Sequence, residues 1–179
     1  MQQVTLGGGC FWCIEAIFQQ LKGINKVTPG YSGGIIINPT YEQVTSGETK
    51  HAEVIQIEFD SDIISFQDLL SVFFATHDPT TENRQGADVG TQYRSIIFFH
   101  TNDQKEQAIK YIENLEQSGL YKKIVTSVEP LTNFYKAESY HKNFYKNNPD
   151  YGYCKVVIDP KIEKLKKNYA DKLKIINPS

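Results

Sequence analysis

The sequence predicts one α/β domain of the α+β kind, a two-layer sandwich in which helices pack on a mixed sheet. The first observation behind this prediction is length, because 179 residues suit a single domain that buries a sizeable core. The second is the order of the predicted elements: strand, helix, strand, strand, helix, strand, and then helix and strand. This order favours a ferredoxin-like βαββαβ core, followed by a long irregular C-terminal segment within the single domain 1–179.

A strand over 3–6 and a helix that starts at Cys10 open the chain, and Gly23 ends the helix. Apolar residues spaced three, four and seven apart mark one face of this helix: Ile14, Ile17, Phe18 and Leu21. The three glycines 7–9 let the backbone turn tightly between the strand and the helix. Unpaired N–H groups at a helix start favour an anion, so we expect the pKa of the Cys10 thiol to lie about one unit below its usual ~8.5.

Two strands are predicted next, over 24–31 and 52–59, with mostly loop over 38–51 between them. Alternation in the second strand puts Glu53 on the same face as three large apolar side chains. A carboxyl on that face would be desolvated, and its raised pKa would suit a proton donor at neutral pH. The alternative, that the strand frays at Glu53 and the carboxylate reaches water, stays open on the pattern alone.

The middle of the chain combines a helix with a long polar loop. A capping box at 65–68 opens the helix, which runs to about 76 before a histidine, an aspartate and a proline stop it. The polar stretch 81–92 carries Asp88 and leads to Tyr93. Because long structureless connections are uncommon in compact domains, we expect this loop to be functional.

The remaining elements complete the sandwich and the irregular tail. They are a strand over 93–99, a helix over 103–117, a strand over 124–129, a short aromatic-rich helix over 138–146, a turn over 147–154, and a peripheral helix over about 160–172. We expect Asp159 to cap the last helix and Pro160 to occupy its first turn. Cys154 falls in the glycine-bearing turn, where we expect the backbone to be mobile.

Composition and charge exclude several classes of protein. The formal net charge of −2 and the pI of 6.1 give no electrostatic reason to expect nucleic acid or an anionic membrane as a partner. No run approaches the ~18 apolar residues of a membrane span, and no basic and apolar leader precedes the first strand. We therefore expect a cytoplasmic chain, and a monomer because no exposed apolar helix face stands out.

Cys10 and Cys13 form a C-x-x-C pair at the start of the first helix. Residues three apart in a helix have Cα atoms roughly 5 Å apart, within the ~4.4–6.8 Å that a disulfide allows. The pair could therefore oxidise and be reduced again, as in a general dithiol–disulfide oxidoreductase. In thioredoxin-like proteins, however, a longer strand–helix unit usually precedes such a pair, whereas here the pair begins at residue 10.

The third cysteine, Cys154, makes an odd number, which speaks against a disulfide scaffold. A mobile thiol that the fold brings near a reactive thiol is typical of a resolving cysteine, and a quiet half-buried thiol is the alternative. A zinc site built from the three cysteines and one histidine is disfavoured, because structural zinc usually takes two closely spaced pairs of ligands. We expect neither a metal nor an organic cofactor.

Seven blocks of residues, in order from the first helix to Cys154, resemble peptide methionine sulfoxide reductase of the A type. They are Gly9-Cys10-Phe11-Trp12, Gly30-Tyr31-Ser32-Gly33-Gly34, Asn38-Pro39-Thr40-Tyr41, His51-Ala52-Glu53, His77-Asp78-Pro79-Thr80, Gly90-Thr91-Gln92-Tyr93-Arg94-Ser95 and Gly152-Tyr153-Cys154. The resemblance covers nearly the whole chain except the C-terminal helix. One such block would be weak evidence, whereas seven in order are specific.

The resemblance implies a single catalytic domain and a chemistry. Cys10 would attack the sulfoxide sulfur, Glu53 would protonate the sulfoxide oxygen, and Cys10 would be left as a sulfenic acid. Further residues would bind the substrate: Tyr41 and Tyr93 its oxygen, Asp88 the polar side of the pocket, and Phe11 and Trp12 the S-methyl group. A second thiol would then form a disulfide that thioredoxin reduces, with S-epimer methionine sulfoxide, free or within oxidised proteins and peptides, as the substrate.

The chain departs from the common family pattern in two places, and both concern the resolving thiol. Many members have glycine where Cys13 stands, and some carry a further cysteine beyond the Gly-Tyr-Cys turn, which this chain lacks. The sequence favours Cys154 as the resolving thiol, because a flexible turn could approach Cys10 without unwinding a helix. Cys13 remains an alternative. A binding module without turnover is disfavoured because Cys10 is present.

Overall fold

The computed structural model describes residues 1–175 and contains the predicted sheet and helices. The strands are β1 Gln2–Gly7, β2 Ile24–Ser32, β3 Ala52–Phe59, β4 Arg84–Gln85, β5 Asp88–Val89, β6 Ile96–Phe99, β7 Ser127–Pro130 and β8 Tyr135–Lys136. The helices are α1 Phe11–Phe18, α2 Tyr41–Thr45, α3 Phe66–Thr76, α4 Asn102–Gln117, α5 Phe144–Asn147 and α6 Asp159–Asn168. The predicted mixed α/β fold is therefore confirmed.

Six strands form the main sheet, in the order β7-β6-β1-β3-β2-β8. Neighbouring strands are antiparallel except β6 and β7, which are parallel. The four central strands follow one another along the chain as β1-α1-β2-β3-α3-β6, with α2 and the separate β4-β5 hairpin inserted. The ferredoxin-like assignment of this core stays a prediction.

The strand β3 lies inside the sheet and buries both of its faces. One face, with Ile55, Ile57 and Phe59, joins the main core under the helices. The opposite face joins a smaller cluster in which Leu131 and Phe134, from the segment after β7, pack against buried strand residues. The alternation read from the sequence therefore corresponds to two differently covered faces, and Glu53 lies on the face of the main core.

Two capping boxes start helices in the structure. Ser65 and Asp68 exchange hydrogen bonds between side chains and backbone at the start of α3, as predicted. Thr40 and Gln43 do the same at α2, inside the stretch that was predicted to be mostly loop. The rest of that stretch is loop and turn, and the capping box adds the short helix α2 within it.

Several predicted boundaries differ from the structure. Residues 91–93 form a 3-10 turn, so the strand expected from 93 starts only at Ile96, and the strand expected over 124–129 starts at Ser127. The helix expected over 138–146 divides into a 3-10 turn, Ser139–His141, and α5. Asn143 lies between them in the left-handed region, at a φ of 57°, which a helix cannot continue through.

The turn expected around Cys154 is helical in the structure. Residues Cys154–Ile158 form a π-helical turn that runs directly into α6, so Asp159 is the first residue of α6 and not its N-cap. Pro160 has no N–H for a regular helical hydrogen bond, which is consistent with irregular pairing in the preceding turn. The lysine-rich helix α6 also buries Ile162 and Leu165 in the main core.

In the described part of the chain, no helix combines the length and the apolar character that crossing a membrane requires.

Candidate active site

The glycine turn after β1 places Cys10 at the N-cap of α1. Gly9 has a φ of 93°, a conformation that favours glycine, and its missing side chain makes room for Gln85. Cys10 itself is 8% exposed, and the Trp12 N–H donates a hydrogen bond to its sulfur. One N–H of the first helical turn is therefore directed at this thiol, as expected for a site at a helix start.

The expected lowering of the Cys10 pKa was wrong. Burial raises the pKa of Cys10 well above its ordinary value, and the hydrogen bond that Cys10 donates to Cys13 and the negative charge of Glu53 raise it further. The opposing effect of the Trp12 N–H is smaller. Loss of water thus outweighs the helix terminus, and the resting Cys10 holds its proton.

Glu53 lies on β3, directly beside the start of α1. Its Oε2 accepts a hydrogen bond from the Phe11 N–H at 3.1 Å, and its side chain is 1% exposed. Burial raises the pKa of Glu53 to about 8, despite the lowering effect of the Phe11 N–H. The strand does not fray at this position, so the alternative in which the carboxylate reaches water was wrong. At neutral pH this carboxyl carries a proton.

Tyr41 and Tyr93 lie half-buried near both of these groups. Tyr41 opens α2 and Tyr93 ends the 3-10 turn before β6. Burial raises the pKa of both phenols, and the charges of Glu53 and Cys10 raise it further. Two neutral O–H donors, one from the start of α2 and one from the 3-10 turn, therefore share one region with the Cys10 thiol and the Glu53 carboxyl.

Asp88 lies on the β4-β5 hairpin, on the same side as Cys13. Its Oδ2 accepts a hydrogen bond from the Tyr153 hydroxyl at 2.6 Å, and that hydroxyl lies 3.6 Å from the Cys13 sulfur. The charge of Asp88 also raises the pKa of Glu53. Tyr153 was not singled out from the sequence as a site residue, although it stands next to Cys154 in the Gly-Tyr-Cys block.

Phe11 and Trp12 form an aromatic wall, and the two side chains differ in how deeply they are buried. Phe11 is fully buried, with ring centroids 5.7 Å from Tyr31 and 6.5 Å from Tyr41. Trp12 is partly exposed and stacks on Phe144 at 3.7 Å between centroids and 6° between planes. The aromatic content of 138–146 was the available signal for Phe144, but periodicity could not show that it faces Trp12.

The three cysteines are all free thiols and all buried. Cys13 accepts a hydrogen bond from Cys10, and this bond lowers the pKa of Cys13. Cys154 is fully buried in the main core, and its pKa is raised first by burial and then by the charge of Cys13. In this reduced arrangement the thiol hydrogen-bonded to Cys10 is Cys13, and the thiol whose charge acts on Cys154 is also Cys13.

A cavity of about 820 Å³ reaches Cys10 and Cys13 from the side of α6 and the β4-β5 hairpin. Its other lining residues include Asp88, Tyr153 and Lys161. Glu53, Tyr41 and Tyr93 do not line it. The cavity therefore reaches the two thiols without reaching these three side chains.

Among residues 1–175, no group of three or more histidine, cysteine, aspartate or glutamate side chains is arranged to hold a metal ion. The chemistry available at this site is that of a thiol pair beside a protonated carboxyl and two phenols.

Comparison with known proteins gives a family for this arrangement. A family model described as peptide methionine sulfoxide reductase matches residues 2–173. The peptide methionine sulfoxide reductase MsrA of Picrophilus torridus is 56% identical over 168 residues, covering 94% of this chain and 95% of the relative. That of Sulfolobus acidocaldarius is 55% identical over 175 residues, covering 98% and 99%.

Solved structures show the same likeness. The reduced form of Mxr1 from Saccharomyces cerevisiae matches with a TM-score of 0.80 and 35% identity, covering 86% of this chain and 88% of Mxr1. A structure of Mxr1 in complex with Trx2 matches with a TM-score of 0.57 and 26% identity, covering 80% and 84%. With the family model spanning nearly the whole chain, this protein belongs to the peptide methionine sulfoxide reductase family.

Proposed function

We propose that this chain reduces methionine-S-sulfoxide, free and within proteins, to methionine, with Cys10 as the nucleophile. The observation that carries the proposal is the position of the Cys10 thiol at a helix start beside Glu53, a buried carboxyl that is protonated at neutral pH. A sulfoxide is a poor electrophile until its oxygen accepts a proton or strong hydrogen bonds. The site supplies both the nucleophile and the acid.

In the first step, the Cys10 sulfur attacks the substrate sulfur while Glu53 donates its proton to the sulfoxide oxygen. The phenols of Tyr41 and Tyr93 donate hydrogen bonds to the same oxygen, a role supported by their half-buried position near Glu53 and Cys10. The thiol proton of Cys10 replaces the one that Glu53 gives up. Overall, the oxygen moves to Cys10 as a sulfenic acid, and methionine leaves.

The S-methyl group of the substrate rests on the wall formed by Phe11 and Trp12. This role is supported by the burial of Phe11 and by the partly exposed, stacked indole of Trp12. Asp88 orders the opposite, polar side by holding the Tyr153 hydroxyl near Cys13. The apolar methyl group of the substrate thus meets an aromatic surface, and its polar oxygen meets hydrogen-bond donors.

In the second step, a thiol condenses with the sulfenic acid of Cys10 and releases water, forming a disulfide. The sequence favours Cys154 because of an expected open turn, but Cys154 is buried in a helical turn and the thiol beside Cys10 is Cys13. We therefore assign the first disulfide to Cys10 and Cys13. Cys154 follows by attacking the Cys13 sulfur, which gives a Cys13–Cys154 disulfide and returns Cys10 as a thiol.

A thioredoxin then reduces the final disulfide by thiol exchange. This step is supported by the structural likeness to Mxr1, which has been solved in complex with Trx2. We place the reaction in the cytoplasm, since three free thiols suit a reducing compartment.

Steady-state turnover tests the proposal against the dithiol–disulfide alternative. With a thioredoxin, its reductase and NADPH, the chain is expected to produce methionine from the S epimer, and Cys10→Ser is expected to abolish this product. Reduction of insulin disulfides should stay at the level of the reductant alone. Methionine formation by Cys10→Ser contradicts the proposal, and so does insulin reduction above the level of the reductant alone without methionine formation.

A further inference from the structure

His141 lies behind the site, in the 3-10 turn Ser139–His141, and has no role in the steps above. Its side chain is fully buried, and its Nδ1 accepts a hydrogen bond from the Trp12 indole N–H at 3.0 Å. The same ring lies 4.4 Å from Tyr41 and 5.0 Å from Phe11 between centroids. One side chain therefore contacts both the wall assigned to the methyl group and a residue assigned to the oxygen.

The hydrogen bond with Trp12 also fixes the state of the ring. An indole nitrogen can only donate, so the Nδ1 of His141 must be the unprotonated acceptor. Burial lowers the pKa of His141, which keeps the imidazole neutral with its proton on Nε2. Within the described residues, that Nε2 has no hydrogen-bond partner, so Trp12 provides the directional contact that orients the ring.

The turn that carries His141 is anchored on both sides. Before it, Glu138 accepts hydrogen bonds from the Tyr41 N–H at 2.9 Å and from the Tyr31 hydroxyl at 2.8 Å. After it, the Asn143 N–H donates to the buried Glu15 of α1 at 2.5 Å, and Phe144 stacks on Trp12. His141 is consequently held against α1 and α2 at the same time.

Recognition of one sulfoxide epimer depends on the relative position of the groups that receive its oxygen and its methyl group. The sulfur of methionine sulfoxide carries four different substituents: an oxygen, a methyl group, the side-chain methylene and a lone pair. A site distinguishes the two configurations only if it fixes the positions of several of these substituents at once. If Cys10 fixes the sulfur, the relative position of the oxygen wall and the methyl wall decides which epimer reacts. His141 touches Tyr41 on one wall and Trp12 and Phe11 on the other.

We infer that His141 is a positioning residue that fixes the Trp12 indole relative to the Tyr41 ring and thereby sets the preference for one epimer at sulfur. This inference rests on the proposed function. It assigns to His141 no contact with the reacting atoms.

The test compares His141→Phe, which keeps a ring but removes the acceptor, with His141→Asn, whose Oδ1 can accept the indole N–H near the position of Nδ1. Each is assayed on the separate S and R epimers, with KM and kcat determined. For His141→Phe we expect the ratio of kcat/KM between epimers to fall by at least about tenfold, mainly through a higher KM for the S epimer. His141→Asn is expected to stay within about threefold of the parent chain.

The chain has a single tryptophan, Trp12, so its fluorescence reports this contact directly. His141→Phe is expected to shift the emission maximum and His141→Asn to restore it. A folded His141→Phe with parental emission, KM and epimer ratio overturns the inference. A parent chain that forms no methionine overturns the proposed function instead, so the two failures are distinguishable.

If His141→Phe does not fold, Trp12→Phe removes the same hydrogen bond from the other side. Trp12→Phe alone, His141→Leu alone and the two combined give a double-mutant cycle, because each change removes one partner of the hydrogen bond. We expect a reduced epimer ratio in each single variant and no further loss in the double variant. A parental ratio in Trp12→Phe, or strictly additive losses in the double variant, overturns the inference.

Discussion

At the scale of single residues, the proposed chemistry uses two buried groups, Cys10 and Glu53, that both hold protons at neutral pH. Burial raises the pKa of each, and the negative charge of Glu53 would raise the pKa of Cys10 further. The site therefore avoids two buried negative charges in its resting state. In the proposed mechanism, Glu53 is thus already protonated when the substrate arrives, and Cys10 loses its proton only as the sulfoxide oxygen gains one.

Glu53→Gln is expected to slow methionine formation by about 10²–10⁴-fold, because a general acid typically contributes that much. The amide keeps the size of the side chain and an acceptor for the Phe11 N–H. Rapid-quench measurement of methionine in a single turnover gives the rate, and thiol titration checks that Cys10 is still present and reduced. An unchanged rate would show that Glu53 is not the proton donor.

The rate of the first step should also depend on pH in a defined direction. The pKa of Glu53 is raised to about 8, so the carboxyl is protonated below that pH and loses its proton as the pH rises through it. We expect the single-turnover rate to decline through about pH 8 on the alkaline side. Glu53→Gln serves as the control, since it should lose this decline. A parental rate that stays level from pH 7 to 9 would contradict the assignment.

At the scale of the elements, two helix starts, the start of a strand and a 3-10 turn supply the site residues. Cys10 is the N-cap of α1, Trp12 lies in the first turn of α1, and Glu53 lies at the start of β3. Tyr41 is the first residue of α2, and Tyr93 ends the 3-10 turn before β6. These side chains are therefore held by helix, strand and turn backbone, which positions a site more precisely than open loops do.

The capping box of α3 gives a test of an element outside the site. Ser65→Ala removes the side chain that accepts from the Asp68 N–H, and we expect the free energy of unfolding to fall by about 1 kcal/mol. Urea denaturation measures the change. Because α3 contributes no residue to the proposed chemistry, kcat and KM should stay parental. A large loss of activity in a folded variant would mean that α3 positions the site.

At the scale of the whole molecule, the sequence predicted those features that depend on local pattern. The Ser65 capping box, the alternation of β3 and the helix that starts after the glycines each leave a short-range signal, and each appears in the structure. The two-layer arrangement then follows from burying one face of each element. The boundaries of elements next to irregular segments were harder to predict from the sequence, as the 3-10 turn before β6 shows.

The features that could not be predicted come from tertiary contacts. Periodicity could not show that Trp12 donates a hydrogen bond to His141, 129 positions away in the chain, or that Tyr153 donates one to Asp88. The prediction for the Cys10 pKa was wrong for the same reason, since the burial that raises it comes from the whole fold. The glycine and tyrosines around Cys154 predict an open turn, because this composition gives no signal for the π-helical turn that leads into α6.

The measurement that tests the central claim most directly is a single turnover without added reductant. Fully reduced chain is mixed with excess S-epimer methionine sulfoxide, methionine is counted per chain, and the resulting disulfide is mapped by mass spectrometry. We expect at least stoichiometric methionine from the parent chain, none from Cys10→Ser, and a disulfide that joins Cys13 to Cys10 or to Cys154. No methionine, with all three thiols still reduced, would contradict it.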